Sequence, residues 1–255
     1  MILAIDVGNT NIVFGGIKNF KTAFTTRLTT DTGKTDDEYA VLLKSLIEIN
    51  NFSIDDFDGA IISSVVPQLN NVLKSAIIKI IHKIPLIIGP GIKTGLNIKI
   101  DNPAQLGSDI VVGAVAAIAE YPKPLIVIDM GTATTLCVID KNSNYRGGII
   151  CPGVRVSLES LTKNAAQLHG ISLEPPKKAI GTNTIDCMRS GTVFGNAAMI
   201  DGLIDRMSEE IDGNVSVVAT GGLSSSIIPY CKHKIILDNN LLLKGLEIIY
   251  NKNLG

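Results

Sequence analysis

The sequence predicts an α/β protein with mixed sheets, assembled from two halves that each run βββαβαβα. Three observations predict it. Residues 1–17, MILAIDVGNTNIVFGGI, and residues 125–139, LIVIDMGTATTLCVI, match at an offset of 123 residues, which puts Asp6 on Asp129 and Gly8 on Gly131 between apolar runs. Each segment heads a stretch in which strand patterns give way to alternating helix and strand patterns, the signature of an α/β fold. With 255 residues, 45% of them hydrophobic, the chain is long enough to bury two cores.

The elements follow in order. Residues 1–5, 11–17 and 21–28 are rich in Ile, Val, Phe and Thr and are separated by short turns containing Gly or Asn, as three consecutive antiparallel strands should be. After a loop of Thr, Asp and Gly at 29–36, Tyr39, Leu42, Leu43, Leu46 and Ile47 recur at helical spacing over 37–49, with Thr35 or Asp36 placed to cap the helix. A strand at 60–66, a helix over 69–83 opened after Pro67, a strand at 85–88 and a helix over 104–120 complete the first half. The second half repeats the order with strands at 124–129, 134–139 and 145–150, a helix after Pro152, and a long helix through 185–209. A strand at 215–219, a helix after Gly221, a strand at 234–237 and a helix from Asn239 close it. The predicted lobes are 1–118 and 119–255. A single strand pair with Asp and Gly in its turn is commonplace, but two of them heading similarly ordered halves indicate duplication.

Composition narrows the partners. Lys and Arg total 23 against 24 Asp and Glu, and no dense basic block advertises a nucleic acid or an anionic membrane surface. No apolar run reaches the roughly 18 residues of a membrane span, and the chain enters a strand pattern at once without a signal-peptide pattern, so a cytoplasmic protein with a small partner is expected. Cys137, Cys151, Cys187 and Cys231 lack CxxC spacing and read as reduced, small core residues. His82, His169 and His233 share no ligand-like spacing.

The two acidic turns carry the chemistry. In IDVGNTN, Gly8 lets the backbone bring N–H groups toward a ligand, while Asn9, Thr10 and Asn11 add short donors without blocking access. That suits a phosphate chain. Asp6 would repel phosphate unless a divalent cation or its water shell stood between them, so the carboxylate implies a metal. Asp129-Met130-Gly131-Thr132-Ala133-Thr134-Thr135 offers the same parts from the other half, so the two turns together could hold the phosphates of a nucleotide across an interdomain cleft. A third stretch, VSVVATGGL at 215–223, ends a strand on Thr220-Gly221-Gly222, where open backbone can lie against a flat ring or a phosphate at a helix start.

These motifs resemble those of the actin, Hsp70 and sugar-kinase superfamily, and their wording is most similar to the type III pantothenate kinases. The resemblance spans nearly the whole chain: Asp6-Val7-Gly8-Asn9-Thr10, Gly107-Ser108-Asp109 after Asn102-Pro103, Asp129-Met130-Gly131-Thr132-Ala133-Thr134, Gly147-Gly148-Ile149-Ile150-Cys151-Pro152-Gly153 and Gly181-Thr182-Asn183-Thr184. It implies duplicated actin-like (ribonuclease H-like) domains with an interdomain nucleotide cleft. It also implies phosphorylation of pantothenate by ATP, the first step of coenzyme A synthesis, in a homodimer that uses Mg²⁺ and a monovalent cation, K⁺ or NH₄⁺. By position, Asp109 matches the family's general base and Asp129 its monovalent-cation ligand. Asp6, Val7, Gly8, Asn9, Thr10, Asn11, Ile12, Val13 and Thr132 match its ATP contacts, with Asp6 also placed to reach Mg²⁺ through water. Ile100, Gly107, Ser108, Asp109, Ile110 and Thr184 fall on its pantothenate contacts.

Residue chemistry agrees with those roles. Phosphoryl transfer needs an aligned alcohol, a group to take its proton, and positive charge on the transferring oxygens. Asp109 can take the proton, although an Asp at the front of an apolar helix also serves as a cap or first-turn dipole partner. Two positions depart from the family pattern: Ile110 stands where Arg is usual, and Ile100 where Tyr is common. Both touch the acceptor side, where Arg155, Arg189 or Lys163 are the available substitutes for the lost charge. The rival readings are another small-molecule kinase of the same superfamily and a nucleotide-binding accessory regulator of transcription; the balanced charge argues against direct DNA contact.

Overall fold

The computed structural model describes residues 1–254. The chain opens with β1 (Ile2–Val7), β2 (Asn11–Lys18) and β3 (Lys21–Thr29), continues through α1 (Asp36–Ile49), β4 (Gly59–Ser64), α2 (Pro67–Ile81), β5 (Leu86–Ile87) and β6 (Asn97–Ile98), and reaches α3 (Ser108–Glu120). The first sheet has the order β3-β2-β1-β4-β5, with β1 antiparallel to β2 and parallel to β4. Because β1 is central, both its faces are covered, which is why it reads as an apolar run rather than an alternation. Leu3, Ile5 and Val7 meet α1 and α2 through Leu43, Leu69 and Leu73. Ile2 and Ala4 meet Val112 and Val115 of α3 and Leu243, Leu246 and Ile249 of the last helix.

The second half runs β7 (Leu125–Met130), β8 (Ala133–Ile139), β9 (Asn144–Pro152), α4 (Val154–Asn164), α5 (Thr184–Glu209), β10 (Ser216–Thr220), α6 (Ser224–Ile227), β11 (Ile236–Leu237) and α7 (Leu241–Lys252). Its sheet, β11-β10-β7-β8-β9-β6, repeats the first order from the other direction and adds β6 beyond β9. Ile126, Ile128 and Met130 pack on Val193, Ala197, Ile200 and Ile204 of α5. No described helix is long and apolar enough to cross a membrane.

Register supports the duplication in detail. The β2/β3 ladder slips between Gly16 and Ile17, and the β8/β9 ladder slips between Val138 and Ile139, the equivalent place. The first hairpin closes with Val7 opposite Ile12 and the second with Met130 opposite Thr134, so the second tip is one residue shorter. The offset of 123 residues therefore holds for β1 and β7 but becomes 122 for β2 and β8.

Several boundaries move from the sequence reading. Thr35, rather than Asp36, caps α1 in a reciprocal capping box with Glu38. The helix expected from 104 begins at Ser108, because Pro103–Gln105 forms a separate 3₁₀ turn capped by Asn102 and Leu106 is extended. The two-residue strand β6 went unread, being too short to carry a period. By contact, one unit comprises Met1–Leu96, Asn102–Ala119 and the chain from Asn240 on, and the other comprises Asn97–Asp101 and Glu120–Asn239. The sequence division at 118/119 does not separate these contact units, since the apolar face of α7 is buried on the first sheet. Only Cys137 among the cysteines is buried; Cys187 is exposed and Cys151 and Cys231 are half-buried, all as free thiols. Burial, helped by the nearby Asp201 charge, pushes the Cys231 thiol up to about 12, which makes it inert near neutral pH.

Candidate active site

The first acidic turn is set by β1 and β2. Asp6 stands opposite Val13 on one side and Ser63 on the other, so these three side chains share the sheet face that α3 and α7 cover. Val7 and Ile12 face the opposite core, leaving Gly8, Asn9, Thr10 and Asn11 as the tip. The Gly8 N–H donates to the Asn11 carbonyl at 3.0 Å, and Asn9 and Thr10 are exposed. Thr30, just beyond β3, braces this tip: its N–H donates to the Thr10 carbonyl at 3.0 Å and its hydroxyl to the Gly8 carbonyl at 2.6 Å. Tyr39, fully buried in α1, fixes the next residue, its hydroxyl donating to the Asp31 carbonyl at 2.8 Å and accepting the Asp31 N–H at 3.1 Å. Sequence reasoning missed Thr30 and read Tyr39 only as a core residue. The available signal was the phenol itself, since a buried tyrosine hydroxyl has to find a partner.

Ser63 and Ser64 also hold the start of α3. The Ser108 hydroxyl donates to the Ser64 carbonyl at 3.0 Å, accepts the Ser64 N–H at 3.1 Å and lies 3.1 Å from the Ser63 hydroxyl. That fastening holds Asp109, the next residue, at the helix start next to the end of β4, whose Ser63 pairs with Asp6 of β1. Burial lifts the Asp109 carboxyl above the usual aspartate range, opposed in part by the Ile110 N–H, 2.8 Å from Oδ1, and by its own N–H. A carboxylate so raised is a stronger base. Gly107, Ser108, Asp109 and Ile110 are all half-buried here.

In the second half Asp129 stands opposite Thr135 and Thr220, again on one face. The tip is Gly131-Thr132-Ala133, where the Gly131 N–H donates to the Ala133 carbonyl at 3.0 Å and Gly131 and Thr132 are exposed. Strand alternation separates two threonines that the sequence grouped together: Thr135 shares the face of Asp129, whereas Thr134 shares the face of Met130, and its buried hydroxyl has no hydrogen-bond partner among the described residues. Two glycines press on this turn. Gly153 donates its N–H to the Thr132 carbonyl at 3.1 Å, and a Cβ there would collide with the carbonyls of Thr132 and Gly131. Gly221, at φ +97°, lies so close that a Cβ would come within 2.5 Å of both Asp129 Oδ1 and the Met130 nitrogen. The Thr220-Gly221 step thus backs Asp129.

The residues matched to the acceptor divide between the two contact units: Gly107, Ser108, Asp109 and Ile110 belong to the first, Ile100 and Thr184 to the second. Ile100 lies beside Gly147 of β9. Thr184 opens α5 after Asn183, whose side chain accepts the Asp186 N–H at 2.9 Å. It lines a cavity of about 490 Å³ between α4 and α5, together with Val154, Ser157, Cys187 and Met188. Arg189 is committed elsewhere, to Ser172 Oγ at 2.6 Å and Glu174 at 2.8 Å, while Arg155 and Lys163 are exposed on α4.

For cations, the face of Asp129 offers a carboxylate and the hydroxyls of Thr135 and Thr220, an oxygen-only set of the kind a hard ion prefers. Among the described residues no three His, Cys, Asp or Glu side chains gather as a metal-holding group. A divalent ion carried chiefly by phosphate oxygens, with one carboxylate such as Asp6 alongside, fits that donor set.

A family model described as type III pantothenate kinase matches residues 2–206. Proteins so described from Halalkalibacterium halodurans and Exiguobacterium sibiricum are 46% and 47% identical over 253 residues, covering 99% of this chain and all of theirs. Among solved structures, a Baf family transcriptional activator from Campylobacter jejuni aligns with a TM-score of 0.64 at 21% identity, covering 99% of this chain and 98% of that one. A 2-dehydro-3-deoxygalactonokinase from Sinorhizobium meliloti aligns at 0.61 and 11% identity over 99% and 97%. An activator of 2-hydroxyisocaproyl-CoA dehydratase from Clostridium difficile with bound ADPNP aligns at 0.56 and 12% over 98% and 93%. At these identities the structural likeness is one of fold, the actin-like ATPase fold.

Proposed function

This chain belongs to the type III pantothenate kinase family, and from that premise we propose the part each residue plays. The protein is a phosphotransferase that uses ATP to phosphorylate pantothenate in coenzyme A biosynthesis. Asp109 is the general base that takes the proton from the acceptor hydroxyl. The observation that carries this assignment is the fastening of Ser108 to Ser63 and Ser64, which holds a half-buried carboxylate of raised pKa next to the end of β4, the strand whose Ser63 pairs with Asp6. Asp6, Val7, Gly8, Asn9, Thr10, Asn11, Ile12 and Val13 form one phosphate-binding turn and Thr132 belongs to the other.

Asp6 reaches Mg²⁺ through water, and Asp129 with its neighbouring hydroxyls holds K⁺ or NH₄⁺. When bound, these cations offset the charge on the phosphate oxygens. Ile100, Gly107, Ser108, Ile110 and Thr184 contact pantothenate. Arg189 is an unsuitable partner for the substrate carboxylate, since it already serves Ser172 and Glu174. The working form is a cytoplasmic homodimer.

A coupled assay with ATP, Mg²⁺ and pantothenate, with and without K⁺, tests the assignment together with Asp109→Asn. The variant should lose turnover by roughly 10²- to 10⁴-fold, the usual worth of a general base, and still bind ATP; near-normal turnover would remove Asp109 from the mechanism. Profiling other small alcohols in the same assay measures how far Ile110 and Ile100 have changed acceptor choice.

A further inference from the structure

The two halves brace their phosphate turns in the same way, at a residue outside each turn. In the β2/β3 ladder Asn11 is opposite Thr29, and in the β8/β9 ladder Ala133 is opposite Pro152. The next residues, Thr30 and Gly153, are therefore equivalent, as are Thr10 and Thr132 at the turn tips. Each donates its backbone N–H to that threonine's carbonyl, Thr30 to Thr10 at 3.0 Å and Gly153 to Thr132 at 3.1 Å. In both halves this bond is the rung that carries the antiparallel ladder onto the turn, and it is kept although the tips differ in length by one residue.

What surrounds each brace decides which side yields when it is disturbed. Gly153 precedes Val154, which is 1% exposed and belongs to the core that contains Met130 and Val193. The start of α4 is thereby fixed, while Gly131 and Thr132 are exposed at a hairpin tip. A Cβ at Gly153 would run into the carbonyls of both tip residues. A side chain at 153 therefore presses on the exposed turn, whereas the helix start beside it is packed in the core. In the first half the brace adds a second bond, from the Thr30 hydroxyl to the Gly8 carbonyl, and its loop is anchored in turn by Tyr39.

We infer that Thr30 and Gly153 are a matched pair of positioning residues, each holding its own phosphate turn in the conformation ATP requires without touching substrate. The inference rests on the reading that the Thr10 and Thr132 turns contact the nucleotide. Gly153→Ala and Thr30→Ala should each raise KM for ATP several-fold, and kcat/KM for ATP should fall by roughly tenfold or more, since small misplacements weigh heavily on transfer geometry. KM for pantothenate should change little.

Gly148→Ala is the comparison, because a Cβ at Gly148 also collides with backbone, that of Leu136 and Cys137, yet lies away from the turn. It should lower stability and leave KM for ATP as it was. If Gly153→Ala and Gly148→Ala behave alike, the inference fails. Should Gly153→Ala not fold, amide exchange in the wild-type protein gives the answer: a non-hydrolysable ATP analogue should slow exchange at Gly153 and Thr30 and leave Gly148 unaffected, and unchanged protection at the first two overturns the proposal. Thr132→Val separates the underlying reading. If that variant keeps its KM for ATP, the nucleotide assignment is at fault; if it loses affinity while Gly153→Ala and Thr30→Ala do not, only the positioning role falls.

Discussion

The hydroxyls of Ser63 and Ser108 lie 3.1 Å apart, joining the end of β4 to the first residue of α3 across 45 residues of sequence. Ser63 shares a sheet face with Asp6, and Ser108 precedes Asp109. Together with the Ser108 bonds to Ser64 and the packing of Val112 and Val115 on Ile2 and Ala4, this contact keeps the phosphate strand and the helix bearing the proposed base in a fixed relation. Ser108→Ala removes the hydroxyl that serves Ser63 and both backbone groups of Ser64, so about 1–3 kcal/mol of stability should be lost with those groups left unsatisfied. Turnover should fall more steeply than stability predicts. Chemical denaturation alongside steady-state kinetics checks both, and intact turnover in a destabilised protein would confine Ser108 to a structural role.

Asp109 gives a pH prediction. Its folded pKa is raised by burial, so the ionised, base-competent form is lost as pH falls through a value above the ordinary aspartate range. The acidic limb of kcat/KM should lie correspondingly high and should be absent from whatever residual activity Asp109→Asn retains. Stability runs the other way. Since the charged form is disfavoured in the fold relative to the unfolded chain, the folded protein loses stability as pH rises past the unfolded pKa, and none is lost below it. Asp109→Asn should therefore melt at or above the wild-type temperature near neutral pH and show no such gain in acid, which thermal unfolding at several pH values measures.

Tyr39→Phe tests the far end of the first brace. It keeps the buried ring but deletes the hydroxyl that bonds the Asp31 backbone in both directions. About 1–3 kcal/mol of stability should go, and because Thr30 adjoins Asp31, KM for ATP should rise while KM for pantothenate holds. Urea unfolding and two-substrate kinetics report the two effects.

Asp129→Asn weakens the oxygen set proposed for the monovalent cation. The variant should lose the response of activity to added K⁺, with the wild-type rate in K⁺-free buffer as its ceiling. A titration of K⁺ against rate in both proteins decides it, and an unaltered K⁺ response would place that ion elsewhere.

The acidic turns and the order of the longer elements were determined by sequence alone, because each depends on neighbours a few residues away: Asp and Gly at a strand end, and apolar residues at period 2 or 3.6; the start of α1 was legible as Thr35 or Asp36, and the structure chose Thr35. Tertiary structure decided the rest. Only register shows that the second tip is one residue shorter, that Thr134 and Thr135 point to opposite faces, and that Thr30 and Gly153 are equivalent. Only packing assigns α7 to the first sheet and fastens Ser108 to Ser63 and Ser64. Such contacts join residues distant in the chain, and their energy depends on which strand ends and helix starts arrive at the same place, a relation that no local pattern encodes.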